Sequence, residues 1–433
     1  MEAPPPRRRE SPSAIPDELF EEFLLRLPPD DPACLLRASL VCKAWSHTVS
    51  SPGFRRRLHE LHRTPPMLGF LNNWMDERIP RFIHTTASSF SLAAPDWRTW
   101  RAIDCRHRRA LFFPEEFGGP EMLLWDPITG AQQRIPVPAA FKSDDFPTAA
   151  VFCAADGCDH CDCFGGPFRV VFFFTLEETH ATSACIYSSE TGAWGELTSV
   201  HSNHEFLEFR ESYSVLVDRS ALYFIFDGNA DTASIVEFDL ASHELNVFGL
   251  PDAYYNLAYS LVLVEDGGIG VIQCFNTRLK LWRREASAEA GWVLYRVMCL
   301  ENFLPMDALL HAQDRVQVVG FAEEANVIFV DTVAGLFTIE LQSGHVSKVC
   351  SDPGVPIFGS QLLPVVSFYT PVPQGKHQNL LALKPSEEGG EKETTVDQAQ
   401  QLLNMGSNAT KQVFINTIEY TSHDLEIRLG INS

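Results

Sequence analysis

The sequence predicts an α+β multidomain chain: a small N-terminal three-helix unit, an all-β propeller-like repeat domain, and a partly helical, partly disordered tail. Three observations predict it. Apolar residues recur at three- and four-residue spacing between Ile15 and Val49, the period of amphipathic helices. From Met67 to about Thr370, short apolar or alternating runs are separated by polar turns, the pattern of strands. Beyond Pro373, a charged, glycine-containing stretch precedes a last segment with helical patterning. The expected boundaries are 1–13 for a disordered leader, 14–63 for the helical unit, 64–372 for the β domain, 373–395 for a linker and 396–433 for the tail.

Composition bounds the function. A chain of 433 residues allows two to three domains, and 45% apolar content with 31 Phe supplies a large core. The net charge of -22 argues against general binding to nucleic acid or anionic membranes, both of which call for basic surface. No run approaches the roughly 18 apolar residues that a membrane span needs. The leader MEAPPPRRRESPS has no apolar core and does not read as a secretory signal, so the 11 cysteines are expected to be reduced. The expectation is a soluble intracellular protein of the nucleus and/or cytoplasm.

In the helical unit, Asp17 and Glu18 follow Pro16 at a helix start, where proline fits the first turn and acids suit the dipole. Leu19, Phe20, Phe23, Leu24 and Leu27 make the apolar stripe, and Pro28-Pro29 ends the helix by withholding backbone donors. Asp30 or Asp31 can cap the second helix with Pro32 in its first turn. Leu35, Leu36, Leu40, Val41 and Trp45 continue the apolar supply, giving a core small enough for a partner to complete. Arg55 to His62 reads as a short connecting helix with a solvated basic face.

These residues resemble the F-box. The ordered features are Ile15-Pro16, Asp17-Glu18-Leu19, Leu27-Pro28-Pro29, the run Leu40 to Trp45, and Ser51-Pro52-Gly53-Phe54. Ile15 stands where leucine is commoner, a volume-conserving change. The resemblance implies docking on the Skp-type adaptor of a cullin–RING ubiquitin ligase. By position, the implied contacts are Pro16, Leu19, Leu27, Pro28, Leu36, Val41, Cys42, Lys43 and Trp45.

In the β domain, Val316 to Cys350 reads as a four-stranded meander, and Ser214 to Leu250 reads the same way. A strand–turn–strand unit recurs as LLWDPITGAQQRIPV, CIYSSETGAWGEL, IVEFDLASHELNVF and FTIELQSGHVSKV, with LKLWRREASAEAGWVLYRV between the last two. A blurred earlier unit is expected between Phe82 and Ile103. A repeat of roughly 40 to 60 residues with four strands is that of a β-propeller, here of about five to seven blades. A β-sandwich would also bury such strands but has no reason to repeat them. The repeat resembles the kelch-like, F-box-associated propellers that follow the F-box in many plant proteins.

Sites for chemistry are few. Cys153, Cys158, His160, Cys161 and Cys163 crowd into CAADGCDHCDC, and Cys158 with Cys161 has the Cys-x2-Cys spacing of zinc ligands. No second pair at a longer interval is visible, so the segment reads as a cysteine-rich loop and no metal is assigned. No nucleophile elbow, phosphate loop, zinc-protease helix or dinucleotide fingerprint is present, and no cofactor is expected. Acidic pairs such as Glu115-Glu116, Glu177-Glu178 and Glu323-Glu324 sit in turns and read as solvated. Trp74, Trp97, Trp100, Trp125, Trp194, Trp282 and Trp292 could line a recognition surface but read as packing between blades.

In the tail, KPSEEGGEKETT carries too little apolar surface to fold. The segment from Val396 resembles a first helix pair of the tetratricopeptide repeat in histone chaperones of the nuclear autoantigenic sperm protein type. Leu403, Gly406, Ser407, Ala409, Lys411, Phe414, Ser422, Leu425, Glu426, Ile427 and Arg428 match, while Thr417 and Ile418 stand where small residues let the helices approach. One repeat cannot bury its face alone, so a fragment or a packing tail is expected rather than a chaperone domain.

The function expected from the sequence is a substrate-recruiting F-box subunit of an SCF-type ligase. The F-box would hold the adaptor, the propeller would hold a protein target, and the ubiquitin chemistry would belong to the recruited enzyme. The alternative is a propeller scaffold or decoy that uses the F-box for interaction alone.

Overall fold

The computed structural model describes residues 17–371 except 74–80, 86–99, 115–118, 143–146, 159, 161–162, 164–165, 177–180, 202–206, 210–213, 229–231, 252–257, 286–290, 310–315 and 350–360. The leader, Trp74, Trp97 and the tail from residue 396 lie outside the described residues.

Four helices open the chain: α1 (Asp17–Leu25), α2 (Pro32–Val41), α3 (Lys43–Val49) and α4 (Pro52–His62). Asp31 caps α2 by accepting from the Ala33 N–H at 3.1 Å, with Pro32 in the first turn as the sequence predicts. Cys42 is extended (φ -161°, ψ 167°), which breaks α2 from α3 at full turn strength. Ser51 caps α4 through the Phe54 N–H at 3.1 Å.

The structure revises the reading of α4. It starts at Pro52, and Phe54 and Leu58 on its apolar face are each 1% exposed in one core with Leu24, Leu25, Leu35, Ala38 and Val49. It is a fourth wall of the helical unit, not a connector. Arg57 bridges to Glu21 at 3.0 Å and to Glu22, tying α4 to α1 across the exposed side.

Strands then build six sheets. β1 (Met67–Asn73) and β2 (Arg81–His84) share a sheet with the last strand, as described below. The next four sheets in sequence are meanders. The first is β3 (Trp100–Arg106), β4 (Arg109–Pro114), β5 (Glu121–Trp125) and β6 (Gln132–Pro136). The second holds β7 (Thr148–Cys153), β8 (Phe168–Leu176), β9 (Ala181–Ser188), β10 (Ala193–Trp194) and β11 (Thr198–His201). The third holds β12 (Leu207–Phe209), β13 (Val215–Val217), β14 (Ala221–Gly228), β15 (Thr232–Asp239) and β16 (Leu245–Gly249). The fourth is β17 (Ala258–Leu263), β18 (Ile269–Phe275), β19 (Arg278–Arg284) and β20 (Trp292–Cys299). A fifth follows with β21 (Gln317–Ala322), β22 (Val327–Thr332), β23 (Gly335–Glu340) and β24 (Val346–Lys348).

The final strand, β25 (Gln361–Val366), pairs antiparallel with β1, setting Met67 opposite Val366 and Asn73 opposite Gln361. One sheet therefore contains both ends of the β domain, and the ring closes on itself. β25 touches β21 on one side and β3 on the other, while β3 meets β7, β13 meets β17 and β17 meets β21. The result is a six-bladed propeller. The unit expected between Phe82 and Ile103 is not one blade, because β2 belongs to the closing sheet and β3 opens the next. Strand periodicity alone does not mark which sheet a strand joins.

The recurring units are the outer hairpins β5–β6, β9–β10, β15–β16, β19–β20 and β23–β24. Four share one turn. The N–H groups of Gly130, Gly192, His243 and Gly344 donate to the carbonyls four residues earlier, those of Asp126, Ser188, Asp239 and Glu340. Each of these donors has φ between 60° and 73°, the left-handed region that favours glycine and that His243 adopts as well. The glycine or histidine that recurs in these turns is thus a backbone requirement.

Blades pack through alternation. On β8, Val171 and Phe173 face a cluster with Phe224 and Phe238, while Phe172 and Phe174 face one with Phe113 and Met122. A strand sandwiched between two neighbours is apolar on both faces, which is why FRVVFFF reads as an unbroken apolar run. Trp194 Nε1 donates to the Pro136 carbonyl at 2.8 Å and Trp292 Nε1 to that of Gly249 at 2.9 Å, each joining neighbouring blades. Those tryptophans do pack between blades.

Candidate functional site

The helical unit has two faces. One packs on the propeller: Phe368, two residues past β25, sits in the helical core at 9% exposure. Its ring meets the edge of His59 at 5.4 Å and lies 6.2 Å from His62. His62 Nε2 in turn donates to the Leu25 carbonyl at 2.8 Å. The partner that completes this small core is thus the chain's own propeller.

The other face is open. Phe23 is 37% exposed, a large apolar side chain left in solvent on an otherwise packed helix. Leu27, Pro28, Val41 and Cys42 are half-buried and Lys43 is exposed. Each of these residues therefore keeps some surface open to solvent. Two of the expected contacts, Leu36 and Trp45, also pack inside the molecule. Leu36 packs against the main propeller cluster, so much of its surface is already covered. Trp45 stacks on Phe20 with centroids 3.9 Å apart, and so holds α3 to α1 as well as offering an edge. Pro16 lies outside the described residues, and Leu19 is placed on α1. Phe23 entered the sequence reading only as part of the apolar stripe. Its exposure is what marks it out.

The propeller axis holds a buried ion network. Arg106 on β3 reaches Asp104 at 3.0 Å and Glu323 at 2.6 Å, and donates to the Ser214 carbonyl at 2.7 Å. Asp104 also accepts the Val151 N–H at 2.7 Å, and Glu323 the Leu216 N–H at 3.1 Å. Glu323 is therefore not the solvated turn acid that the sequence suggests. Burial pushes the Asp104 carboxyl up to about 6, against the pull of Arg106. The cavity beside it measures about 20 Å³ and has room for about one water, so this network joins blades rather than binding a ligand.

The cysteine-rich loop is placed between β7 and β8. Cys153, Cys158, His160 and Cys163 bring their ligand atoms within 4.8 Å of one another. Cys161 lies outside the described residues, and the described set includes Cys153 from β7. The sequence places Cys153 in the crowded segment, but the spacing singles out Cys158 with Cys161, since Cys153 sits on a strand end five residues before the next cysteine.

Two family models match this chain. One, described as F-box protein AT5G49610-like, beta-propeller, matches residues 104–372. The other, the F-box domain, matches residues 12–57. No curated protein matches the sequence. Among solved structures, the SapL1 lectin in complex with alpha methyl fucoside is 11% identical, with 66% of this chain and 97% of that one covered at a TM-score of 0.37. A mutant of AofleA from Arthrobotrys oligospora is 11% identical, covering 69% and 82% at a TM-score of 0.36. The Dos1 propeller is 9% identical, covering 63% and 61% at a TM-score of 0.31. Among the described residues, no helix is long and apolar enough to cross a membrane.

Proposed function

The chain belongs to the F-box protein AT5G49610-like β-propeller family, and from that premise we propose that it is the substrate-recruiting subunit of an SCF-type cullin–RING ubiquitin ligase. In this reading the F-box holds a Skp-type adaptor, the propeller holds a target protein, and the chain has no catalytic site of its own. Its contribution is proximity: tethering raises the target's effective concentration at the ubiquitin-charged enzyme.

The observation that carries the reading is the two-faced helical unit. Its inner face is occupied by Phe368, while Phe23, Leu27, Pro28 and Lys43 stay accessible in the positions an adaptor would cover.

The test is capture of the full chain by a purified adaptor–cullin pair, with Leu27→Asp/Pro28→Asp as the comparison. Wild type should bind, and the double variant should lose at least about tenfold in affinity, or 1.4 kcal/mol, because each carboxylate would be desolvated in an apolar contact. Because Leu27 also packs on the helical core, helix and strand circular dichroism of the double variant must match wild type for the loss to be read as adaptor binding, and Pro28→Asp alone, away from that core, should show the same direction of loss. Failure of the wild-type chain to bind would sink the proposal. Binding without ubiquitin transfer to any co-purified protein would instead favour the scaffold or decoy reading.

A further inference from the structure

The strongest unassigned feature of the molecule is the side-chain cluster at the β7–β8 loop. We propose that Cys153, Cys158, His160 and Cys163 form a structural zinc site that pins this loop to its blade.

The geometry is close to that of a closed site. Four-coordinate zinc with Zn–S near 2.3 Å and Zn–N near 2.0–2.1 Å sets ligand atoms at the corners of a tetrahedron, with edges of about 3.8 Å between sulfurs and about 3.6 Å between sulfur and nitrogen. Cys158 Sγ and Cys163 Sγ are 3.6 Å apart, and His160 Nδ1 is 3.3 Å from Cys163 Sγ. All four ligand atoms lie within 4.8 Å of one another, so shifts of up to about an ångström would bring the set to the tetrahedral edges. A disulfide needs sulfurs at about 2.05 Å, which this pair does not approach. Three thiolates and one imidazole fill all four positions, so the site has no open place for catalysis.

The surroundings are built to hold the ligands. Arg109 donates to the carbonyls of Cys163 and, at 3.1 Å, Gly166. Arg219 donates to those of Ala155 at 3.0 Å and Cys158 at 3.4 Å. Two guanidiniums from other strands and turns thus fix the loop backbone and place positive charge beside a centre that carries one net negative charge when three thiolates bind a divalent ion. His107 stacks on His160 with centroids 3.8 Å apart and planes 13° apart, which orients the imidazole. The His107 Nδ1 accepts the Cys153 N–H at 3.2 Å and steadies the strand-end ligand. Cys153 and Cys163 are buried and the other two half-buried. The role follows from sequence: CAADGCDHCDCFGG offers a loop little apolar surface with which to anchor itself.

The experiment is metal analysis of the full chain, purified under reducing conditions without chelator. One zinc per chain is expected. Exchange with cobalt(II) should give the visible bands of a tetrahedral centre and a thiolate-to-metal band in the near ultraviolet. Cys158→Ser and His160→Ala should each reduce the metal to background with the strand circular dichroism retained, while Cys161→Ser keeps it. If a variant misfolds, zinc withdrawal from the wild type by a strong chelator gives the same information, with proteolytic cuts between residues 153 and 166 expected to appear. A wild-type chain that carries no zinc and takes up no cobalt overturns the proposal, as does a Cys158–Cys163 disulfide in the metal-free chain. Retention by His160→Ala with loss in Cys161→Ser overturns the ligand set.

Discussion

The Arg106 guanidinium meets the Glu323 carboxylate at 2.6 Å although the two residues are 217 positions apart. Arg106 lies on β3 and Glu323 follows β21, so the pair bridges the blades on either side of the closing sheet. Asp104 and Ser214 complete the cation's partners. Arg106→Met would leave Asp104 and Glu323 largely buried without their cation. The expected loss is about 3–5 kcal/mol, the range for breaking a buried pair from one side. Urea denaturation followed by tryptophan fluorescence measures it, and a loss under about 1 kcal/mol would show that the network does not hold the ring.

The same network predicts a pH dependence. Burial holds the folded Asp104 carboxyl at about 6, above its ordinary 3.8, with Arg106 opposing and Glu323 adding to the shift. A raised carboxyl means that the folded state binds the proton more tightly than the unfolded chain does. Its contribution is therefore complete below about pH 4 and is lost as pH rises through 6. Between pH 5 and 7, the wild type should lose about 1–2 kcal/mol through this group. Asp104→Asn should flatten that part of the profile; equal slopes in both proteins would contradict the assignment.

Phe368 couples the two parts of the chain. Phe368→Ala should weaken the helical unit by about 3–5 kcal/mol, the usual cost of emptying a buried aromatic site. Amide exchange in α4 is the direct readout, because His59 and His62 lose their ring contacts. Exchange should accelerate there while β14 and β15 remain protected. Unchanged protection in α4 would mean that the helices need no support from the propeller.

Gly320 lies where β21 approaches the closing sheet. A Cβ there would fall 2.8 Å from the Leu362 carbonyl oxygen and 3.1 Å from the Leu362 Cβ, both fixed by strand pairing. Gly320→Ala should cost about 1–3 kcal/mol by overpacking. Gly249→Ala is the control: no atom lies within 4 Å of its Cβ position, and the change should stay within about 0.5 kcal/mol. Thermal midpoints of the two variants separate the outcomes.

Much of this was legible beforehand because it is local. The Asp31–Pro32 helix start, the Pro28-Pro29 stop and the hairpin turns at Gly130, Gly192, His243 and Gly344 each depend on residues within five positions of one another. The order of the F-box features along the first three helices was legible in the same way. The open state of Phe23 and the cover over Leu36 were not, since both depend on what the propeller presses against.

Sequence by itself determined the element types, the repeating hairpin and the F-box order, because periodicity reports contacts between near neighbours. Tertiary structure decided the rest. It set the ring at six blades by pairing Met67 with Val366, gave the helical core its last side chain in Phe368, and brought Cys153 to Cys158, His160 and Cys163. Each of these joins residues whose spacing carries no periodic signal, so only the closure of the chain in space could select them.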